Sequence, residues 1–312
     1  MAIQNHLTLV ILAAGLGSRF GSDKQLAKLG PAGETMLELS ILSAIRAGFS
    51  MAVIVTRPEL EVELARLLSA RLPASFEYRF CYQSVDDLPA DLAPALQASL
   101  PAAPRQRPWG TAHALWSARH IVQGPMGVIT ADDFYGDSAF TLLAHGLLAR
   151  PSEWMMVAYP VAKTLSEHGG VNRGICQVVG NQLRSVAEWT QIHYASEAQI
   201  DGDDAHDLHH QERLVGQSPM GWQTVPDDAL VSMTCWGFSH SVFEHIETAL
   251  ISFIQQHGTD GRAECYLPSV VQDALVKGRE LTVQVAQENW LGVTYAQDAP
   301  RVRQQLMELM GD

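Results

Sequence analysis

The stretch LTLVILAAGLGSRFGSDKQL, residues 7–26, carries most of the information about the fold class of this chain. Its first part, Thr8 to Ala14, is a continuous apolar run, which is typical of a strand buried on both faces of a parallel sheet. A glycine-rich segment follows, in which backbone N–H groups can approach a phosphate closely. The segment lacks the third glycine of the dinucleotide fingerprint, because Phe20 stands there, and it lacks the Gly-Lys-Ser/Thr of a Walker loop.

Strand and helix patterns alternate along the rest of the chain. Strands are predicted over residues 51–56, 76–82, 127–131, 229–238 and 280–285. Helices are predicted over residues 35–47, 59–72, 111–122, 240–256, 267–277 and 299–310. This alternation indicates βαβ units with right-handed crossovers, and hence an α/β fold with helices on both faces of a mostly parallel sheet.

Two segments interrupt this alternation. Residues 85–108 contain five prolines and many alanines, and residues 196–228 are polar and acidic. We interpret them as a Pro-rich insertion and a polar surface insertion. The sequence shows neither an internal repeat nor a clear linker, so residues 1–312 are predicted to form a single domain whose sheet has a mixed extension.

Charge and composition exclude several classes of protein. The formal net charge of −13 argues against a surface that binds nucleic acid. The four cysteines form no Cys-x-x-Cys pair, so neither a disulfide framework nor a zinc ribbon is indicated. The first residues lack the layout of a signal peptide, and no apolar run approaches the length of a membrane span. We therefore expect a cytoplasmic protein with no membrane or nucleic-acid partner; the sequence does not indicate an oligomeric state.

Two cations, Arg19 and Lys24, lie in the glycine-rich segment, and fixed cations beside backbone donors suit a triphosphate. The string LAAGLGSRFGSDKQL closely resembles the signature of the nucleotidyltransferases that join a nucleoside triphosphate to a sugar 1-phosphate. The resemblance implies a Rossmann-like three-layer α/β/α nucleotidyltransferase fold, in which Arg19 and Lys24 act on the phosphates. It also implies nucleotide contacts from neighbouring residues, namely Ala13, Ala14, Gly15, Gly17 and Ser18.

Two further segments resemble the nucleotide-binding parts of that family. Gly110-Thr111-Ala112-His113-Ala114 is similar to the Gly-Thr-Gly-His-Ala segment of UDP-N-acetylglucosamine pyrophosphorylases, with Ala112 in place of the second glycine. The resemblance implies that Gly110 and Thr111 lie along the nucleotide and that Gln83, at the end of a predicted strand, binds the base. The Pro-rich insertion separates Gln83 from Gly110, whereas the family keeps the two close in sequence.

A pair of carboxylates, Asp132 and Asp133, follows the predicted strand at 127–131. Open α/β sheets bind ligands at the carboxyl ends of their strands, and Mg²⁺ prefers carboxylate and phosphate oxygens. The resemblance implies one metal-binding Asp here; Asp132 aligns best and Asp133 is the alternative. The family places its second metal ligand where Thr294 stands, and Asp298, four residues on, is the candidate replacement.

The remaining sequence features concern the binding of the sugar and the reaction. The resemblance implies sugar contacts from Asn172, Arg173, Gly174 and Glu188, although the Lys-Pro that usually follows the Glu is missing. The predicted activity is therefore Mg²⁺-dependent transfer of a nucleotide, from UTP, to a sugar 1-phosphate in nucleotide-sugar biosynthesis. Two alternatives stay open: a cytidylyltransferase that acts on a non-sugar phosphate, and a catalytically weak nucleotide-sugar-binding regulatory protein.

Overall fold

We describe the protein from a computed structural model. The structure describes residues 6–15, 26–92, 105, 107–195 and 213–310. The predicted site residues Gly17, Ser18, Arg19 and Lys24 therefore lie outside the described residues. The same holds for residues 93–104 and 106 of the Pro-rich insertion and for residues 196–212 of the polar insertion.

Strands and helices alternate through the N-terminal half, and strands dominate the middle of the chain. The strands are β1 (Thr8–Leu12), β2 (Met51–Thr56), β3 (Glu77–Tyr82), β4 (Met126–Thr130), β5 (Asp133–Phe134), β6 (Trp154–Pro160), β7 (Val171–Val179), β8 (Gln182–Ala195), β9 (Arg213–Ser218), β10 (Gly221–Thr224), β11 (Leu230–Phe238), β12 (Leu281–Val285) and β13 (Leu291–Gly292). The α-helices are α1 (Met36–Ala47), α2 (Pro58–Arg71), α3 (Thr111–Trp116), α4 (Asp137–Ala149), α5 (Val242–His257), α6 (Leu267–Val276) and α7 (Ala299–Met310).

One large sheet runs through the molecule in the order β10-β9-β8-β12-β6-β11-β4-β1-β2-β3, with β7 paired to β11 and β8. The strands β3, β2, β1 and β4 are mutually parallel. From β4 onward β11 is antiparallel to both of its neighbours β4 and β6, while β12 is parallel to β6. The predicted α/β fold is confirmed, and the mixed extension makes up more of the sheet than the pattern indicated.

Helices cover both faces of the sheet, because the side chains of β1 alternate between two apolar clusters. Leu9 and Ile11 pack with residues of α1, α2 and α4 on one face. Val10 and Leu12 pack with residues of α3, α5 and α6 on the other. Every residue of β1 is buried, as expected for a strand with helices above and below. The predicted three-layer architecture follows from this arrangement.

Local signals explain where α1 begins and ends. Thr35 and Glu38 form a capping box, in which the Thr35 side chain accepts from the Glu38 backbone N–H and Glu38 accepts from the Thr35 backbone N–H. Gly48 ends the helix in the left-handed conformation at φ 98°. The helix therefore matches the prediction for residues 35–47 within one residue.

The structure contains elements that the sequence pattern did not predict, such as β6, and it differs from the prediction at two further places. The helix predicted over residues 111–122 ends at Trp116, because the N–H groups of Ala118 and Arg119 bond to carbonyls three residues back, which tightens the chain into turns. The described part of the polar insertion, from Arg213, contains the strands β9 and β10, which pair as a hairpin at one edge of the sheet. Edge strands are half-exposed, so their polar composition resembles that of a loop.

None of the helices in the described part of the chain is both long enough and apolar enough to cross a membrane.

Candidate functional site

The carboxyl ends of the parallel strands lie together on one side of the sheet, where a ligand is expected to bind. After β3 the chain crosses to the other side of β1 and enters β4, so the strand order reverses between β1 and β4. Ligands of open α/β sheets bind outside the carboxyl ends of the strands at such a switch point. The residues that leave β1 here are buried Ala13 and Ala14 and exposed Gly15, and the Ala13 N–H donates to Val55 O at 2.7 Å.

Two carboxylates, Asp132 and Asp133, follow the carboxyl end of β4 and so lie on the same side of the sheet. Asp133 begins the short strand β5, which pairs antiparallel with β13 and sets Asp133 opposite Gly292. The Thr130 hydroxyl donates to Asp133 Oδ2 at 2.8 Å. A Cβ atom added at Gly292 would lie 2.5 Å from Asp133 Oδ1, so the absence of a side chain lets this strand approach the carboxylate. The segment that leads to Thr294 is thus brought beside Asp132 and Asp133.

The chemistry of these donors fits a hard divalent cation that is shared with a substrate. Among the described residues there is no group of three or more His, Cys, Asp and Glu side chains that could hold a metal ion by itself. Mg²⁺ sites in phosphate-transferring enzymes commonly use one or two carboxylates, with phosphate oxygens and water as the other ligands. Asp132 and Asp133 supply two such oxygen donors at the switch point.

The second predicted metal ligand, Asp298, is hydrogen-bonded within the protein. Its carboxylate is buried, with Oδ1 accepting from the Ser166 hydroxyl at 2.8 Å and Oδ2 accepting from the Tyr295 N–H at 2.9 Å. These bonds cap the 3₁₀ turn Ala296–Asp298 just before α7. Each oxygen accepts one of these hydrogen bonds and keeps a further lone pair, so metal ligation by Asp298 stays a prediction.

Gln83 lies beside Gly110 despite the insertion between them in sequence. The Gln83 N–H bonds to Thr56 O at the end of β2, which holds Gln83 at the ligand-binding edge. Its side-chain Nε2 donates to Gly110 O at 3.0 Å and contacts His113 Nδ1 at 3.2 Å. The fold thus brings Gln83 into contact with Gly110, although the two residues are 27 positions apart in sequence.

Gly110 and Thr111 connect the start of α3 to the start of α6. Gly110 has φ +100°, and a Cβ atom there would lie 2.5 Å from Cys265 O, so only glycine fits. The Ala112 N–H donates to the same carbonyl at 3.1 Å. The Thr111 hydroxyl accepts from the Leu267 N–H at 2.9 Å. Within the described residues, the Thr111 hydroxyl therefore joins two helices.

The predicted sugar-binding residues lie on two paired strands of the mixed extension. β7 and β8 are antiparallel, with Gly174 opposite Glu188. Asn172 is exposed, and its Oδ1 accepts from the Gln191 N–H at 3.2 Å. Glu188 is exposed, and partial desolvation of its carboxylate raises its pKa despite the opposing charge of Arg173. An exposed carboxylate can accept hydrogen bonds from sugar hydroxyls.

Arg173 is buried, and the charges near it include Asp133, of the predicted metal site, and Glu188, of the predicted sugar site. Its guanidinium donates to the hydroxyl and carbonyl of Thr164 and to Asn172 O, and it lies over the ring of Trp290 at 5.0 Å. Burial lowers its pKa to about 10, while the nearby charges of Asp133 and Glu188 act in the opposite direction. The side chain therefore remains cationic at neutral pH. It ties Thr164 to the start of β7 rather than extending toward a ligand.

His113 and Trp290 are site residues to which sequence reasoning assigned no role. His113 belongs to the segment Gly110–Ala114, and the sequence of that segment does not indicate that the His113 side chain is buried. Trp290 stands next to the pair β5–β13 and under Arg173. Scattered tryptophans usually belong to the core, so no sequence signal distinguished this one.

Comparison with known proteins agrees with this geometry. Residues 9–113 match the MobA-like NTP transferase domain. The matched segment runs from β1 to α3 and so includes the glycine-rich segment, Gln83 and Gly110. The prediction of an enzyme of the nucleotidyltransferase type is confirmed.

Three solved structures show the same fold over nearly the whole chain. A protein provisionally named as a glucose-1-phosphate thymidylyltransferase from Bacillus anthracis is 14% identical, with a TM-score of 0.61 and coverage of 96% of this chain and 95% of that one. The inositol-1-phosphate CTP transferase from T. maritima is 12% identical, with a TM-score of 0.58 and coverage of 97% and 96%. The UDP-glucose pyrophosphorylase from Acinetobacter baumannii is 12% identical, with a TM-score of 0.58 and coverage of 96% and 93%. No curated protein sequence is significantly similar to the chain.

Proposed function

We propose that this nucleotidyltransferase joins UTP to a sugar 1-phosphate, forming a nucleotide sugar and pyrophosphate. The observation that carries the proposal is the convergence, at one switch point of the sheet, of the end of β1, the Gln83–Gly110 pair and the carboxylates Asp132 and Asp133. Glu188, on β8 of the mixed extension, would supply a polar group to an acceptor substrate.

The proposed roles follow the chemistry of each group. Arg19 and Lys24, outside the described residues, would neutralise the triphosphate and the departing pyrophosphate. Gln83 would bind the base, and backbone groups of Ala13 to Gly15 would line the nucleoside. Asp132, with Asp133 beside it, would hold Mg²⁺, which when bound neutralises phosphate charge.

The reaction needs no covalent intermediate with the enzyme. An oxygen of the acceptor phosphate attacks the α-phosphorus in line, a new P–O bond forms, and the bond to the β-phosphate oxygen breaks as pyrophosphate leaves. The contribution of the protein is to position the two substrates and to stabilise the charge that builds up on the phosphates. Asn172, Gly174 and Glu188 would orient the sugar, while Arg173 supports this wall from behind.

A pyrophosphate-release screen tests the proposal. The protein would be incubated with Mg²⁺, each of UTP, dTTP, CTP, ATP and GTP, and a set of sugar 1-phosphates that includes glucose 1-phosphate. We expect release that requires both substrates and is fastest with UTP or its near analogue dTTP. A clear preference for ATP or GTP would overturn the assignment of the base, and no release with any pair would favour the non-catalytic, nucleotide-sugar-binding alternative.

A cytidylyltransferase is the second candidate. It is favoured by one observation, the structural likeness to the inositol-1-phosphate CTP transferase from T. maritima at a TM-score of 0.58. The same screen separates the two candidates when inositol 1-phosphate is included as an acceptor. Release that depends on CTP and the alcohol phosphate would establish the second candidate and exclude the first.

A further inference from the structure

A chain of hydrogen bonds behind the predicted base-binding residue runs through a buried histidine. Gln83 Nε2 lies 3.0 Å from Gly110 O and 3.2 Å from His113 Nδ1. His113 Nε2 lies 2.8 Å from Asp87 O. The His113 side chain is wholly buried, so these contacts are not exchanged for contacts with water.

The identity of the acceptors settles which atoms carry hydrogen. Asp87 O is a carbonyl oxygen and can only accept, so His113 Nε2 carries the ring hydrogen. In the neutral ring Nδ1 is then an acceptor, and burial, which lowers the pKa of His113, favours the neutral ring. Both N–H groups of the Gln83 amide are consequently donated, one to Gly110 O and one to His113 Nδ1. The amide has only its carbonyl oxygen left, and that oxygen has no partner among the described residues.

The histidine is itself held by the start of the Pro-rich insertion. Arg119 donates to both carboxylate oxygens of Asp87, at 2.7 and 2.6 Å. The Trp109 indole N–H donates to Val85 O at 2.9 Å. These bonds fix the Asp87 carbonyl relative to α3, so the His113 ring cannot easily turn over.

We propose that His113 is a positioning residue that sets nucleobase selectivity by fixing the orientation of the Gln83 amide. With its N–H groups turned inward, Gln83 presents a carbonyl acceptor and selects a base that offers an N–H donor. Uracil and thymine carry such a donor at N3, whereas cytosine N3 is an acceptor and would face the Gln83 oxygen unpaired. The inference rests on the proposed function, because it assumes that Gln83 meets the base.

The test compares UTP with CTP in the wild type and two variants. His113→Phe keeps a ring but removes the acceptor, which frees the Gln83 amide to turn over. His113→Asn retains a side-chain acceptor close to the position of Nδ1. The kcat/KM ratio of UTP to CTP would be measured in competition, with equilibrium binding of each nucleotide measured without an acceptor substrate. We expect wild type to prefer UTP, His113→Phe to lose about tenfold or more of that preference, and His113→Asn to recover part of it.

A wild-type measurement keeps the inference testable if His113→Phe does not fold. ¹⁵N NMR of histidine-labelled protein is expected to show His113 Nδ1 without a hydrogen at neutral pH. A hydrogen on Nδ1, a folded His113→Phe protein with an unchanged ratio, or tighter wild-type binding of CTP would each overturn the proposal. If pyrophosphate release fails with every substrate pair but UTP still binds more tightly than CTP and His113→Phe loses that preference, the proposed function is wrong and the inference about His113 stands.

Discussion

Gly110 is the residue whose identity is most tightly restricted by its surroundings. It combines a left-handed φ of +100° with a backbone neighbour, Cys265 O, only 2.5 Å from where a Cβ atom would stand. Gly180 also has a positive φ, of +63°, but nothing within 4 Å would meet a Cβ atom there. A side chain at Gly180 would therefore meet backbone strain without a steric clash, whereas one at Gly110 would meet both.

We expect Gly110→Ala to destabilise the protein far more than Gly180→Ala. The strain of a left-handed alanine at Gly180 costs about 1–2 kcal/mol. Gly110, at φ 100° and ψ −175°, lies in a region that is essentially restricted to glycine, and Gly110→Ala must in addition displace the backbone at Cys265. Urea denaturation of both variants measures the difference. Equal losses of unfolding free energy would show that the segment at Cys265 yields without cost.

Asp132 and Asp133 are the two candidates for the carboxylate that binds the metal. Asp133 Oδ2 accepts from the Thr130 hydroxyl, and its main chain pairs with β13. We expect Asp132→Asn to abolish most Mg²⁺-dependent activity with little change in stability, since an amide keeps the shape but lacks the charge that a hard cation requires. Asp273→Asn, at an exposed position on α6, is the matched control.

The measurement is the rate of pyrophosphate release against Mg²⁺ concentration, together with the thermal midpoint of each variant. Full activity of Asp132→Asn, or of the wild type in chelator, would contradict the metal assignment. Loss of activity in Asp133→Asn alone would assign the metal to the neighbouring carboxylate.

Glu188 makes stability depend on pH. Its folded-state pKa is raised above the ordinary value by desolvation, so the folded protein keeps this proton to higher pH than the unfolded chain does. The contribution of Glu188 to stability therefore decreases as pH rises from about 4.5, the usual glutamate value, through the folded pKa, and is constant above it.

We expect Glu188→Gln to remove this loss. The thermal midpoint of the variant minus that of the wild type should be larger at pH 7 than at pH 4, while Glu280→Gln, at an exposed position, serves as the control. A difference that does not change between the two pH values would show that Glu188 is fully hydrated.

At the scale of elements, the junction between β4 and β11 forms one wall of the site. The buried Tyr135 hydroxyl accepts from the Thr130 N–H at 3.1 Å and donates to Met233 O at 2.9 Å. The next residue on β11, Thr234, has φ +57°, within a register shift of that strand. A left-handed β-branched residue is strained, and bulges of this kind are frequent beside active sites. The hydroxyl of Tyr135 ties the end of β4 to this bulge.

Tyr135→Phe is expected to lower the free energy of unfolding by about 1–3 kcal/mol, because the Thr130 N–H and Met233 O would lose a buried partner. Tyr78→Phe is the matched control, since the Tyr78 hydroxyl has no hydrogen bond among the described residues. Denaturant unfolding of both variants checks the expectation. Equal stabilities would mean that water replaces the lost hydroxyl at the junction.

At the scale of the whole molecule, the sheet makes the two halves of the chain interdependent. β11 lies between β4 and β6, and β12, from the C-terminal part of the chain, lies between β6 and β8. No cut in the sequence separates the parallel strands from the mixed extension without breaking pairs inside the sheet. We expect a single cooperative unfolding transition, seen at the same urea concentration by far-UV circular dichroism and by tryptophan fluorescence. Two separate transitions would contradict the predicted single domain.

Local physical chemistry was sufficient to predict many of the elements. The apolar run of β1, the capping box of Thr35 and Glu38 and the glycine at position 48 act within a few residues, so their effects can be read from the sequence. The glycine-rich segment with its two cations indicated a nucleotidyltransferase, and the match over residues 9–113 agrees.

The tertiary structure alone decided which of these residues meet. The contact of Gln83 with His113 spans 30 positions, and β13 returns to Asp133 from far along the chain. Pairings of this kind depend on packing between distant elements, which leaves no periodic signal in either segment. The same reason applies to Asp298: its hydrogen bond with Ser166, a residue 132 positions away, exists only in the folded chain.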